Sequence, residues 1–211
     1  MIEKPAENIG KQQAKRTAAL EKICQATILC LAETGYAEAS IQRVAERASV
    51  SKGALQHHFP TKQDLMTATA DRILSNATFA PIIGGRKAGK PRDVRAEISQ
   101  IWQKFVNTDE YRALLEILIA IRTDLDLQDR LSPHLINWEK QRLQAAVQQY
   151  QATSGNDEDV KILMTMTTSL MRGLIVQGQY NEDPAFSRKV VEYWLDIISK
   201  RLTPREYNID H

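Results

Sequence analysis

Between residues 40 and 62 the chain gathers side chains able to read the edges of base pairs and to meet phosphates. Gln56 can make a bidentate contact with adenine, and Ser40, Ser51, His57 and His58 can bond base edges or phosphate oxygens. Lys52 and Lys62 are long cations at the two ends of the reading stretch, where phosphates would lie. Gly53 has no side chain, so a backbone can come close there. Gln42, Arg43 and Ala54 complete the candidate contact set. This is chemistry for the major groove of a double-stranded DNA.

Such side chains need elements to present them. Ser40 is a good N-cap, since its hydroxyl can accept from a free amide at a helix start. Ile41, Val44, Ala45 and Ala48 follow at the spacing of one apolar helix face. Ser49 and Val50 form a turn, with Val50 as the apolar plug, and Ser51 caps a second short helix. Leu55 and Phe59 lie one turn apart and point the same way. Gly53, Gln56 and His57 then fall on the far side, with His58 on the flank. Pro60 cannot continue the helix, and Thr61 caps the next one. A short helix, a tight turn and a second short helix make a helix-turn-helix. The two capped N-termini also favour phosphate oxygens.

A helix over residues 17–34 precedes this unit and ends at Gly35. It covers the unit with Leu20, Ile23, Thr27 and Leu31. Residues 1–16 are polar and carry Lys4, Lys11, Lys15 and Arg16. They read as a flexible arm, either a plain tail or one that reaches DNA. A fourth helix runs from Lys62 to about residue 79. The Gly-, Pro- and cation-rich stretch 81–93 reads as a loop. Helical periodicity then continues over 92–107, 109–123, 126–151, 157–180 and 184–201. No segment alternates like a sustained strand. The expected class is all-α, with about nine helices: an arm at 1–16, a DNA-binding domain at 17–62 and a helical bundle at 63–205.

Residues 20–66 resemble the N-terminal DNA-binding domain of TetR-family transcriptional regulators. The resemblance runs through Ile23, Ala32, Glu33, Gly35, Tyr36, Ser40, Ile41, Val44, Ala45, Ala48, Val50, Ser51, Lys52, Gly53, Leu55, His58, Phe59, Lys62 and Leu65. Two positions depart from the family pattern. Ser49 stands where Gly is usual, which strains a left-handed backbone. Gln56 stands where the family carries a Tyr that commonly touches DNA, so an operator preference does not transfer. The resemblance implies a homodimer on a palindromic operator, and a repressor released by a small molecule bound in the bundle. It further implies that the last two helices pair with their symmetry mates. Leu170, Leu174, Val190, Tyr193, Trp194, Ile197 and Ile198 are the candidates for that face. A regulator of the same fold without a small-molecule ligand, acting as an activator or under protein control, is an alternative. So is a helical interaction module that has lost DNA binding.

The bundle supplies candidates for an effector site in Trp102, Phe105, Tyr111, Leu118, Arg122, Trp138, Met164, Met171 and Gln177. Aromatic and Met side chains at helical spacing are also ordinary core, and Met suits a pocket of variable contents. Arg122 follows the apolar run 113–121. It reads either as an ion-pair partner of Glu116, Asp124 or Asp126, or as a counter-ion for an acidic effector.

Composition sets the bounds. The 211 residues are 43% hydrophobic and 26% charged, ordinary for a globular protein. A net charge of +2 means that attraction to DNA must come from a local patch. Cys24 and Cys30 sit on one helix facing different sides, as small buried residues of a cytoplasmic protein. No run reaches the roughly 18 apolar residues needed to span a membrane, and there is no signal-peptide pattern. The four His show no metal-ligand spacing, and neither a nucleophile elbow nor a phosphate loop is present. The expectation is therefore a non-enzyme without a cofactor.

Overall fold

The structure, a computed structural model, describes residues 6–76, 92–180 and 183–205. Nine α-helices are found among them: α1 (Ala6–Glu38), α2 (Ile41–Arg47), α3 (Lys52–His58), α4 (Lys62–Asn76), α5 (Val94–Ile101), α6 (Asp109–Ala120), α7 (Leu125–Gln149), α8 (Asp157–Gln177) and α9 (Pro184–Ser199). A π-helical turn, Trp102–Val106, continues α5. The one departure from the all-α expectation is a pair of three-residue strands, β1 (Tyr150–Ala152) and β2 (Leu202–Pro204). They pair antiparallel, with Gln151 opposite Thr203. Strands this short carry too little alternation to register as a pattern.

α1 starts at Ala6 rather than at residue 17, so the expected flexible arm is helical from that point. Residues 6–16 are mostly Ala, Gln, Lys, Glu and Arg, good helix formers opposed mainly by Asn8 and Gly10. The loop expected at 81–93 lies outside the described residues, apart from Arg92 and Asp93.

The described chain forms two compact units. The first takes the stretch up to Ile73 together with Arg112–Ser132, and the second takes Leu74–Tyr111 and the stretch from Pro133 onward. α2 and α3 therefore share a unit with a segment far along the chain. In the first unit, Ile23, Leu31, Val44, Leu55, Leu65, Met66, Leu114, Ile117, Leu127 and Leu131 are all buried. Full burial of one such side chain stabilises by about 1.5–3 kcal/mol. In the second unit the core holds Ile98, Tyr111, Tyr150, Val160, Met171, Leu195, Ile198 and Leu202. Tyr150 is held by a hydrogen bond from its hydroxyl to Glu97 at 2.6 Å, and Arg92 lies over its ring at 5.3 Å.

Two backbone positions shape the first unit. The regular helix of α1 stops at Gly35, where φ is 76°. A Cβ there would stand 3.0 Å from Glu116 Oε2. The turn between α2 and α3 places Ser49 at φ 55°, so the strain expected from a serine in a glycine place is present. Gly35→Ala is therefore expected to destabilise the protein by about 1–2 kcal/mol. Ser49→Gly should stabilise it by up to about 1 kcal/mol, the relieved strain exceeding the added chain entropy. Thermal unfolding of the two variants checks both signs.

Candidate nucleic-acid interface and bundle cavity

The candidate interface rests on two capped helices. Ser40 Oγ accepts from Arg43 N at 3.2 Å, and Ser51 Oγ accepts from Ala54 N at 3.1 Å. No acidic residue occupies the first turn of α2 or α3, so both helix starts keep their partial positive charge. Val50 N donates to Ala45 O at 3.0 Å and closes the turn. Leu55 is fully buried and Phe59 nearly so, anchoring the inner side of α3. Ser40, Gln42, Arg43, Ser51, Lys52, Gly53, Ala54, Gln56 and His57 are exposed, and His58 is half-buried. The His57 and His58 rings meet edge to face, 5.5 Å apart. A Cβ on Gly53 would meet nothing within 4 Å. No neighbour inside the protein therefore requires glycine there. The open space above it is room for an approaching backbone.

Several polar groups at this interface already have partners. Gln42 Nε2 donates to Glu46 Oε1 at 2.5 Å, and Arg43 pairs with Glu38 at 3.1 Å. Sequence reasoning missed Arg47, which grips Glu33 through two hydrogen bonds of 2.6 Å and ties α2 to α1. Lys62 departs most from its expected place at the phosphates. Its Nζ donates to Tyr36 O at 2.6 Å and to Ala37 O at 3.3 Å. It also stands 4.1 Å above the Tyr36 ring. Burial lowers its pKa, and the charges of Asp124 and Glu38 only partly oppose this. A lysine beside Pro60 at a helix start carries no sequence signal for such a clamp.

In the second unit, Phe105, Tyr111, Trp138, Met164 and Met171 line one cavity. Ile101, Val106, Thr167 and Thr168 complete it, at about 20 Å³. That is room for about one water, far below the several hundred Å³ of a ligand pocket. Phe105 packs edge to face on Tyr111 at 5.0 Å, and the π-helical turn carries Phe105 and Val106 into the wall. Arg172 Nε donates to the Tyr111 hydroxyl at 2.9 Å, and Trp138 Nε1 donates to Leu74 O at 3.2 Å. Thr167 Oγ1 accepts from Trp194 Nε1 at 3.0 Å. Four expected residues do not line the cavity. Trp102 is half-buried but absent from the lining; Leu118, two turns beyond Tyr111, and Arg122 belong to the first unit. Gln177 is exposed at the end of α8. Helical spacing gives a side chain's face but not its height along the helix.

The expected dimer face divides. Tyr193 is 71% exposed and Ile197 is exposed as well. Leu170, Val190 and Trp194 are half-buried. Leu174 and Ile198 point inward and are buried in their own unit. Ile162, Met166, Val176 and Phe186, which the sequence reading left out, are exposed instead. Ile162, Leu163, Met166, Trp194 and Ile197 line a groove of about 320 Å³.

Cys24 and Cys30 are buried free thiols, and burial pushes the Cys24 thiol up. Among the described residues no group of three or more His, Cys, Asp or Glu is placed to hold a metal ion. None of the described helices is long and apolar enough to cross a membrane.

Residues 23–69 match the family model described as bacterial regulatory proteins, tetR family. The chain is 31% identical over 170 residues to an uncharacterised HTH-type transcriptional regulator of Mycobacterium tuberculosis, covering 79% of this chain and 86% of that one. It is 25% identical over 197 residues to the HTH-type transcriptional regulator CymR of Pseudomonas putida, covering 90% and 95%. In fold it is similar to a solved transcriptional regulator of Saccharomonospora viridis in complex with choline. There the TM-score is 0.64 at 16% identity, over 89% of this chain and 99% of that one.

The two lysines are expected to separate in experiment. Lys52→Ala should weaken binding to every duplex and reduce the salt slope by about one unit. Lys62→Ala should lower the melting temperature and leave the salt slope unchanged. Gly53→Ala should stabilise the free protein by about 0.5–1 kcal/mol, as Ala replaces Gly inside a helix, while weakening DNA binding. Salt titrations by fluorescence anisotropy, with thermal melts, check all three.

Proposed function

Because the chain belongs to the tetR family of bacterial regulatory proteins, a DNA-binding transcriptional regulator, we propose that it is a repressor released from its operator by a small molecule. The observation that carries the DNA part is the outer side of α3. Lys52, Gly53, Gln56 and His57 stand exposed on a helix whose inner side is fixed by Leu55 and Phe59. That arrangement presents base-reading groups on one side of a short helix, the kind of element that enters a major groove.

A homodimer on a palindromic operator follows from the same geometry, because two such helices must meet half-sites about one helical turn apart. The exposed Ile162, Met166, Phe186, Tyr193 and Ile197 support a dimer face on α8 and α9. Apolar stripes of this width are covered in a stable assembly.

The effector site is the aromatic and Met-lined cavity of the second unit. Its small volume means that binding must open it, and opening is what lets a ligand favour one conformation over another. A tenfold preference for the DNA-incompetent state supplies about 1.4 kcal/mol of coupling. The choline bound by the Saccharomonospora viridis relative supports a small-molecule role for this fold. The closed cavity also favours a second reading, a regulator of the same fold that takes no small molecule.

Gel-shift titration against the chain's own upstream DNA tests the proposal, with a thermal-shift screen of metabolites and drugs for release. Gln56→Ala should cost about 1–3 kcal/mol at one base position and little elsewhere. A uniform loss across all sequences would make Gln56 a backbone contact. A compound that raises the melting temperature should also release the operator. If no compound does both, the reading without a ligand stands.

A further inference from the structure

One carboxylate in the first unit gathers groups from three helices. Asp124 precedes α7 and accepts from Leu127 N at 3.0 Å through Oδ1, which caps that helix. Its other oxygen accepts from the Tyr36 hydroxyl at 2.6 Å and from Gln63 Nε2 at 3.0 Å. Tyr36 stands at the exit of α1 and Gln63 at the entry of α4. These are the two ends of the chain that carries α2 and α3. Two further ties join the same stretches: Tyr36 N donates to Glu116 Oε2 at 3.0 Å, and Arg130 pairs with Asp64 at 2.5 Å. Burial alone would push the Asp124 carboxyl up. The hydrogen bonds from Tyr36, Leu127 and Gln63, with the Lys62 charge, outweigh it and hold the carboxyl below its ordinary value. Asp124 is therefore an anion at neutral pH, and its hydrogen bonds are of the stronger, charge-assisted kind.

Neither Asp124 nor its partners belong to the exposed outer side of α3. We propose that Asp124 is a positioning residue for operator recognition: by holding Tyr36 and Gln63 it fixes the reading helices on the 112–132 segment, without touching DNA. This rests on the DNA-reading function proposed above. Two reading helices that must meet two half-sites in register depend on a fixed mounting. Loose electrostatic binding to any duplex does not. Loss of the mounting therefore lowers specificity and leaves non-specific affinity alone.

The test uses the full chain and a site selected by the wild-type protein from random DNA, compared with a scrambled duplex of the same length. Asp124→Ala is expected to weaken binding to the selected site about tenfold. Affinity for the scrambled duplex and the salt slopes stay as in the wild type. Tyr36→Phe should show a smaller loss of the same kind, and adding it to Asp124→Ala should cost nothing more. Asp124→Asn keeps an acceptor for the α7 cap and supplies the reading if the alanine variant does not fold. Equal losses on both duplexes, additive losses in the double variant, or unchanged discrimination would each overturn the positioning role. If the wild type itself does not distinguish the two duplexes, the DNA-reading function fails, and this role with it.

Discussion

Every polar atom of Tyr36 is in use. Its amide donates to Glu116, its carbonyl accepts from Lys62, its hydroxyl donates to Asp124 and its ring lies under the Lys62 ammonium. Burial and the Asp124 hydrogen bond push its phenol pKa up, so the hydroxyl stays a donor at any physiological pH. This residue can sit there only because Gly35 turns the backbone through a positive φ and leaves space for Glu116. The exit of α1, the entry of α4 and the 112–132 segment converge on that single turn. The placement of α2 and α3 depends on it.

The interface shows a division of labour among residues that look alike in sequence. Ser40 and Ser51 spend their hydroxyls on caps. Arg47 and Lys62 spend their charges on holding helices together. Lys52, Gln56 and His57 remain on the exposed side, and Gly53 beside them faces open space. The chain's small net charge fits this arrangement. With so small an overall charge, the proposed reading of DNA falls to a local patch and a few well-held groups. The bundle follows a different logic: its aromatic and Met wall closes on about 20 Å³, and only a change of conformation makes room for a guest.

Much of this was legible in the chain. The caps at Ser40 and Ser51, the stop at Gly35, the strained Ser49 and the buried Leu55 and Phe59 all follow from local rules of spacing and capping. So do the helices of the second unit to within a few residues, and five of the cavity residues. What was not legible depends on long-range placement. Lys62 has the type and position of a phosphate contact, and the carbonyls of Tyr36 and Ala37, brought back by the fold, turn it inward. Asp124 reads as a partner for Arg122 by proximity, yet its side-chain partners lie 88 and 61 residues away. The inward turn of Leu174 and Ile198 and the outward turn of Met166 reflect how wide apolar stripes divide between core and surface. Periodicity does not decide that.

Amide hydrogen exchange along the full chain, free and bound to a duplex selected from random DNA, tests the DNA-reading role most directly. New protection is expected at the starts of α2 and α3 and through residues 51–58, weakening as salt rises. Protection that leaves those residues unchanged, or that is the same with a scrambled duplex, would contradict a sequence-reading role for this face.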